Sequence, residues 1–171
     1  VKEYTEEGLR NKIGIVPQKA VLFKGTIRSN LLWGNESATE NDLMEALKQA
    51  QSYDFVMQKE NGIDSVVEQN GRNFSGGQRQ RLTIARALVR KPEILILDDS
   101  SSALDYTTDA NLRKEIAKLK DMTVFIVSQR TASIMDADQI VVLDDGNIMG
   151  IGTHKELLEN CEVYKEIYES Q

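Results

Sequence analysis

Apolar residues along this chain fall into distinct spacings, and each spacing predicts a different element. Three uninterrupted runs, Ile13-Gly14-Ile15-Val16, Ile94-Leu95-Ile96-Leu97 and Thr123-Val124-Phe125-Ile126-Val127, are too short for helices and read as strands. The last two have the continuous apolar character of strands buried in a parallel sheet. Pro17 stops the first, because proline cannot donate to a ladder. Helical spacing takes over at Thr39 and Asp42, which resemble a helix start, followed by a stripe of Leu43, Met44, Ala46, Leu47 and Ala50. A second short helix is predicted over residues 53–58, with Met44 and Met57 as core fillers. Another helix is predicted over 107–119, with Leu112, Ile116 and Leu119 on one face. Residues 139–143 and 147–151, separated by Asp144-Asp145-Gly146, read as a hairpin. Thr153 and Glu156 have the spacing of a capping box, which puts His154, the lone histidine, at a helix N-terminus with solvent exposure expected.

The most informative stretch is 73–105, where a glycine turn, a helix, a strand and an acidic pair follow one another. Ser75-Gly76-Gly77-Gln78 sets two residues without side chains beside a hydroxyl and an amide, just before a helix expected to begin at Arg79. Backbone N–H groups are thereby presented to an anion. After Pro92 comes the strand 94–97, which ends in Asp98-Asp99. Carboxylates at the carboxyl end of a parallel strand stand where open α/β sheets bind ligands.

Composition narrows the options. With 171 residues and 40% hydrophobic content, the chain can build the core of one domain. A net charge of −6 argues against a sequence-independent hold on nucleic acid, which needs clustered cations. Arg72, Arg79, Arg81, Arg86 and Arg90 form a local exception, expected mostly to be a solvated helix face. Cys161 is the single cysteine, so no internal disulfide forms and a reducing compartment is expected. No run approaches the ~18–20 apolar residues of a membrane span, and the N-terminal stretch lacks a signal-peptide pattern.

SGGQ at 75–78, an Arg-rich helix, an apolar strand with two acids, and Ser102-Ala103-Leu104-Asp105 together resemble the nucleotide-binding domain of ABC transporter ATPases. The resemblance implies an α/β fold: a P-loop NTPase-type parallel sheet flanked by helices, with an inserted helical subdomain over about 30–80 that carries the signature loop. Residues 1–29 and 81–171 would form the remainder of the catalytic core. The glycine-rich phosphate loop is not in the sequence, so the chain is expected to be a C-terminal piece of a longer polypeptide, truncated at its N-terminus.

The resemblance also distributes roles. Ser75, Gly76, Gly77 and Gln78 would contact the ATP of a second, facing nucleotide-binding domain. Gln18 (the Q-loop), Asp98 (the Walker B acid) and Asp105 (the D-loop) would serve nucleotide binding, with Asp98 and Gln18 also holding Mg²⁺. Asp99 stands at the position of the catalytic carboxylate and Gln129 at the switch position. Active members have glutamate and histidine there. An aspartate carboxylate is one methylene nearer the backbone, and a displacement of ~1 Å costs on the order of a hundredfold in rate. A neutral amide cannot take up a proton near neutral pH. The chain's own site is therefore expected to bind nucleotide and hydrolyse it slowly, as in the degenerate half of a heterodimeric exporter.

Residues 22–31 and 151–157 follow the style of exporter subunits. Residues 65–71 fit the exporter loop that touches the membrane domain only in part, because Glu68 and Gln69 replace its second glycine and its glutamate. The partners implied are a second, non-identical nucleotide-binding domain and a transmembrane domain fused upstream, at the cytoplasmic face of the cell membrane. Two other functional classes remain open on the sequence: a soluble ABC-type ATPase acting on DNA or the ribosome, and a non-catalytic interaction module.

Overall fold

Local capping sets most helix starts in the computed structural model, which describes residues 3–171. Thr5 accepts from Gly8 N and begins α1 (Glu6–Lys12), whose acids lie in the first turn and bases in the last, matching the helix dipole. The chain continues into β1 (Ile13–Val16), a short β2 (Gly25–Thr26), α2 (Ile27–Leu32), α3 (Glu40–Gln49), α4 (Tyr53–Met57) and β3 (Val66–Val67). Then come α5 (Gly76–Val89), β4 (Ile94–Asp98), α6 (Tyr106–Ile116) and β5 (Thr123–Val127). The last elements are β6 (Ile140–Asp144), β7 (Asn147–Gly152), α7 (His154–Asn160) and α8 (Glu162–Glu169). The chain divides into two compact units, the first running to Val127 and the second Ser128–Gln171.

In the first unit β1, β4 and β5 form a parallel sheet in that order, with Val16 beside Leu97 and Leu97 beside Ile126. Its inner face, Val16, Leu95 and Leu97, is buried in one core with Leu82, Ile84 and Leu88 of α5 and Leu31, Leu43 and Leu47 of α2 and α3. Gly14 lets α5 approach: a Cβ there would stand 3.0 Å from the Pro92 ring and 3.3 Å from the Ala87 carbonyl oxygen. The helical segment α2–α4 is thereby packed onto α5, the helix that carries Ser75–Gln78 at its start. The outer face differs from the fully buried strands expected. Ile15, Phe125 and Val127 are 61%, 56% and 56% exposed, because only one face of this sheet carries a helical layer within the unit.

Two further expectations change. The arginines of α5 are not a solvated face: their guanidinium groups fasten loops to the helix. Arg79 donates to Phe74 O, Arg81 to Gln51 O at 2.6 Å, and Arg86 to Val21 O at 2.9 Å, while Arg90 donates to Asn11 Oδ1. Only Arg72 is exposed. Loop carbonyls without a ladder partner take donors from side chains, and a long cationic side chain on α5 reaches them. Met44 packs on the core as expected, but Met57 is exposed; it ends a helix of one and a half turns whose buried residue is Val56.

The second unit pairs the antiparallel hairpin β6–β7 with α7 and α8 over a small core of Ile140, Val142, Leu157, Cys161 and Tyr164. The capping box at its helix start is present: Thr153 Oγ1 accepts from Glu156 N, and Glu156 accepts from Thr153 N. His154 is half-buried rather than solvent-exposed, bonded through Nδ1 to the Tyr164 hydroxyl at 2.8 Å and edge-on to the rings of Tyr164 and Tyr168. Neighbouring aromatics on α8 claim it. No helix among the described residues is long and apolar enough to cross a membrane.

Candidate functional site

Two loops leave the carboxyl ends of neighbouring parallel strands and carry the acidic pair and the glutamine. Pro17 and Gln18 follow β1, and Asp98 and Asp99 close β4. Because Val16 lies beside Leu97, the two strand ends are level, and the side chains beyond them meet: Gln18 Nε2 donates to Asp99 Oδ2 at 3.0 Å. Asp98 is exposed beside this contact in sequence. Asp99 turns the chain in the left-handed region, with φ at +43°, a conformation aspartate tolerates better than most side chains. Its backbone is fixed on both sides. The Asp99 N–H donates to Val127 O at 2.9 Å, extending the ladder to β5, and its carbonyl accepts from Ser102 Oγ at 2.9 Å.

The glycine turn is a capping box. Ser75 Oγ accepts from Gln78 N, and Gln78 Oε1 accepts from Ser75 N. This differs from the helix start expected at Arg79: α5 begins at Gly76, since the Ser75–Gln78 pair closes the first turn around the glycines. Gln78 N is satisfied by Ser75 Oγ and Arg79 N by Ser75 O. The N–H groups of Gly76 and Gly77 are left as donors without an intrahelical partner. Gly76 faces open space, with nothing within 4 Å of an added Cβ. Here the helix offers two N–H donors and the positive end of its dipole to an anion.

Asp105 is taken up locally. It is the N-cap of α6, and its two carboxylate oxygens accept from Thr108 N at 2.9 Å and Thr108 Oγ1 at 2.7 Å. The Thr108 backbone and hydroxyl donors hold its carboxyl below the ordinary aspartate range, with a smaller contribution from the Arg81 charge. Gln129 belongs to the second unit. It is exposed, and its carbonyl accepts from Gln171 Nε2 at 2.6 Å.

A cation fits the strand-end residues in one manner. Asp98, Asp99 and Gln18 offer hard oxygen donors, but the described residues hold no cluster of three or more His, Cys, Asp or Glu side chains able to bind a metal alone. Such a set suits Mg²⁺, which takes one or two carboxylates and completes its shell with water and substrate phosphates.

Sequence reasoning missed one surface feature. Phe23 and Trp33 stack at 4.7 Å between centroids and are 44% and 67% exposed, with the Arg86 guanidinium 5.5 Å from the Phe23 ring centroid. The ten-residue separation carries no periodic signal; Phe23 lies in the loop between β1 and β2, and Trp33 follows α2 as its C-cap.

The family described as ABC transporter matches residues 1–102 of the chain. The chain belongs to the ABC transporter family. Over its whole length it is 49% identical to the uncharacterized ABC transporter ATP-binding protein YfiB of Bacillus subtilis, and 41% identical to a putative multidrug export ATP-binding/permease protein of Staphylococcus aureus. It spans about 30% of each of these relatives. Among solved structures, a bacterial Atm1-family ABC exporter with ATP bound superposes with a TM-score of 0.95 at 35% identity, covering all of this chain and 30% of that one. The α/β fold with a parallel sheet flanked by helices is the fold of that exporter's corresponding region.

Proposed function

We propose that this ABC transporter segment belongs to an exporter ATPase, in which ATP and Mg²⁺ are bound and hydrolysed between two facing nucleotide-binding domains to drive export. The observation that carries this reading is the meeting of Gln18 and Asp99 beyond two level parallel strands, in the same unit as a capped glycine turn with two unspent N–H donors. The names of its relatives, an ATP-binding protein and a multidrug export ATP-binding/permease protein, support the same class.

In this proposal Asp98 and Gln18 hold Mg²⁺ on this chain's own nucleotide, which the Asp105 loop flanks. Ser75, Gly76, Gly77 and Gln78 face the nucleotide of the partner domain. Mg²⁺ held by Asp98 and Gln18 would supply neutralisation of charge on the phosphate. Asp99 orients the attacking water from a carboxylate one methylene short of glutamate, and Gln129 hydrogen-bonds the phosphate without accepting a proton. The chain's own site therefore binds nucleotide better than it splits it, and the partner is non-identical, with glutamate and histidine at the corresponding positions.

The exposed Phe23–Trp33 stack gives a membrane domain a docking surface, since stacked aromatics beside an arginine have the composition of interface hot spots. The assembly would lie at the cytoplasmic face of the membrane and would not bind nucleic acid, in keeping with the acidic balance.

ATPase measurements on the full-length pair test this reading. Asp99→Glu with Gln129→His is expected to raise turnover at this chain's site, and Gly77→Asp to abolish turnover at the partner's. No gain from the first, or intact turnover in the second, contradicts the division of labour.

A further inference from the structure

The Gln18–Asp99 hydrogen bond joins two side chains that an ATPase site needs for different purposes. Among the described residues Gln18 has one hydrogen-bonding partner, Asp99 Oδ2. Asp99 has little freedom to turn elsewhere. Its N–H is committed to Val127 O and its carbonyl to Ser102, and its φ of +43° fixes the direction in which the side chain leaves the backbone. Only the two side-chain torsions of an aspartate remain, and the Gln18 amide holds their end. The contact also depends on register: Val16 beside Leu97 makes residues 18 and 99 the second residues beyond each matched pair.

We propose that Gln18 and Asp99 form a resting latch, in which the glutamine amide and the aspartate carboxylate satisfy each other, and that binding of a magnesium nucleotide parts them. Gln18 is thus a positioning residue for Asp99, and Asp99 restrains the Q-loop. Both partners are accessible to water, Gln18 exposed and Asp99 partly so, and the latch is therefore weak enough to open on each binding event. A net hydrogen bond of this kind changes an equilibrium roughly three- to tenfold. The inference rests on the ATPase reading above.

Equilibrium binding of a non-hydrolysable ATP analogue to the full-length protein tests it, with the partner domain's phosphate loop disabled so that only this chain's site loads. Asp99→Ala is expected to tighten binding of the magnesium form by roughly three- to tenfold. The gain is expected to vanish when Gln18→Ala is already present, because the latch is then gone. Asp99→Asn keeps an acceptor oxygen for Gln18 while losing the charge, and is expected to gain less than Asp99→Ala. An equal gain from Asp99→Ala in both backgrounds, or a gain from Asp99→Asn matching that from alanine, assigns the effect to charge and overturns the latch alone. No gain from Asp99→Ala also overturns it. An unsubstituted protein that binds no magnesium nucleotide overturns the ATPase reading, and the latch with it.

Discussion

A Cβ on Gly77 would stand 3.1 Å from the carbonyl oxygen of Ala103, so the start of α5 and the loop before α6 meet at a position where a side chain would force that loop to shift by a few tenths of an ångström. Gly76, one residue earlier, has nothing within 4 Å of an added Cβ. The two glycines are therefore unlike in kind. Gly77→Ala is expected to lower the melting temperature by displacing the 101–105 loop, whereas Gly76→Ala is expected to leave it level or raise it, since alanine is favoured over glycine in a helix by about 1 kcal/mol. Thermal unfolding of both variants checks this, and equal losses would contradict the close approach.

Ser75 should matter to folding as well as to any anion. Removing its Oγ leaves the Gln78 N–H without its acceptor. Ser75→Ala is expected to destabilise by about 1 kcal/mol, and Ser75→Asp, which can still cap, by much less. Denaturant titration distinguishes them.

Arg81 reaches across to hold the chain after α3, donating to Gln51 O at 2.6 Å and lying 4.7 Å from the Phe55 ring centroid. Gln51 has φ at +55°, so the carbonyl it presents is held in an uncommon backbone conformation. Arg81→Ala leaves that carbonyl unpartnered and should cost about 1–3 kcal/mol. Lysine is not expected to restore it, because an ammonium lacks the flat guanidinium surface that covers Phe55. Unfolding measurements on the three proteins check the order Arg, then Lys, then Ala.

Acid sensitivity follows from the capping carboxylates. Asp105 is held below its ordinary range by the Thr108 donors, Glu156 by those of Thr153, and Asp42 by Lys91 and then Thr39. Their folded-state values lie below the unfolded ones, so the stability they contribute is complete above the ordinary carboxylate range, near pH 4–5, and is lost as pH falls below it. Asp105→Asn is expected to flatten part of that acid limb while leaving an acceptor for the cap. Melting temperature against pH, for both proteins, reads the difference.

Trp33 is the single tryptophan and is 67% exposed. Its emission in this segment alone should be that of a solvated indole, and it should shift to the blue when a membrane domain covers it. Trp33→Ala is expected to change unfolding by under about 1 kcal/mol, since it loses mainly the stack on Phe23, yet to weaken assembly by about 2 kcal/mol or more. Unchanged assembly would remove the aromatic stack from the docking surface.

Local chemistry was legible where partners are three or four residues apart. Thr39 with Asp42 and Thr153 with Glu156 could be read as caps from spacing, because both members lie in one helical turn. The apolar runs at 13–16, 94–97 and 123–127 likewise announced strands. The arginines of α5 could not be read this way. Nothing in their spacing tells whether a guanidinium meets water or, as for Arg86, a carbonyl 65 residues away. His154 was misjudged for the same reason, since Tyr164 and Tyr168 reach it from the next helix.

The sequence by itself determined the parts: the glycine turn, the acidic pair at a strand end, and the apolar runs that become strands. Those follow from residue identity and short-range spacing, which act before the chain is folded. Only the tertiary structure decided that Gln18 holds Asp99 and that Gly77 lies against Ala103. The first depends on strand register and the second on how the start of α5 meets the loop before α6, and such contacts are fixed by packing of the whole core rather than by any segment of the chain.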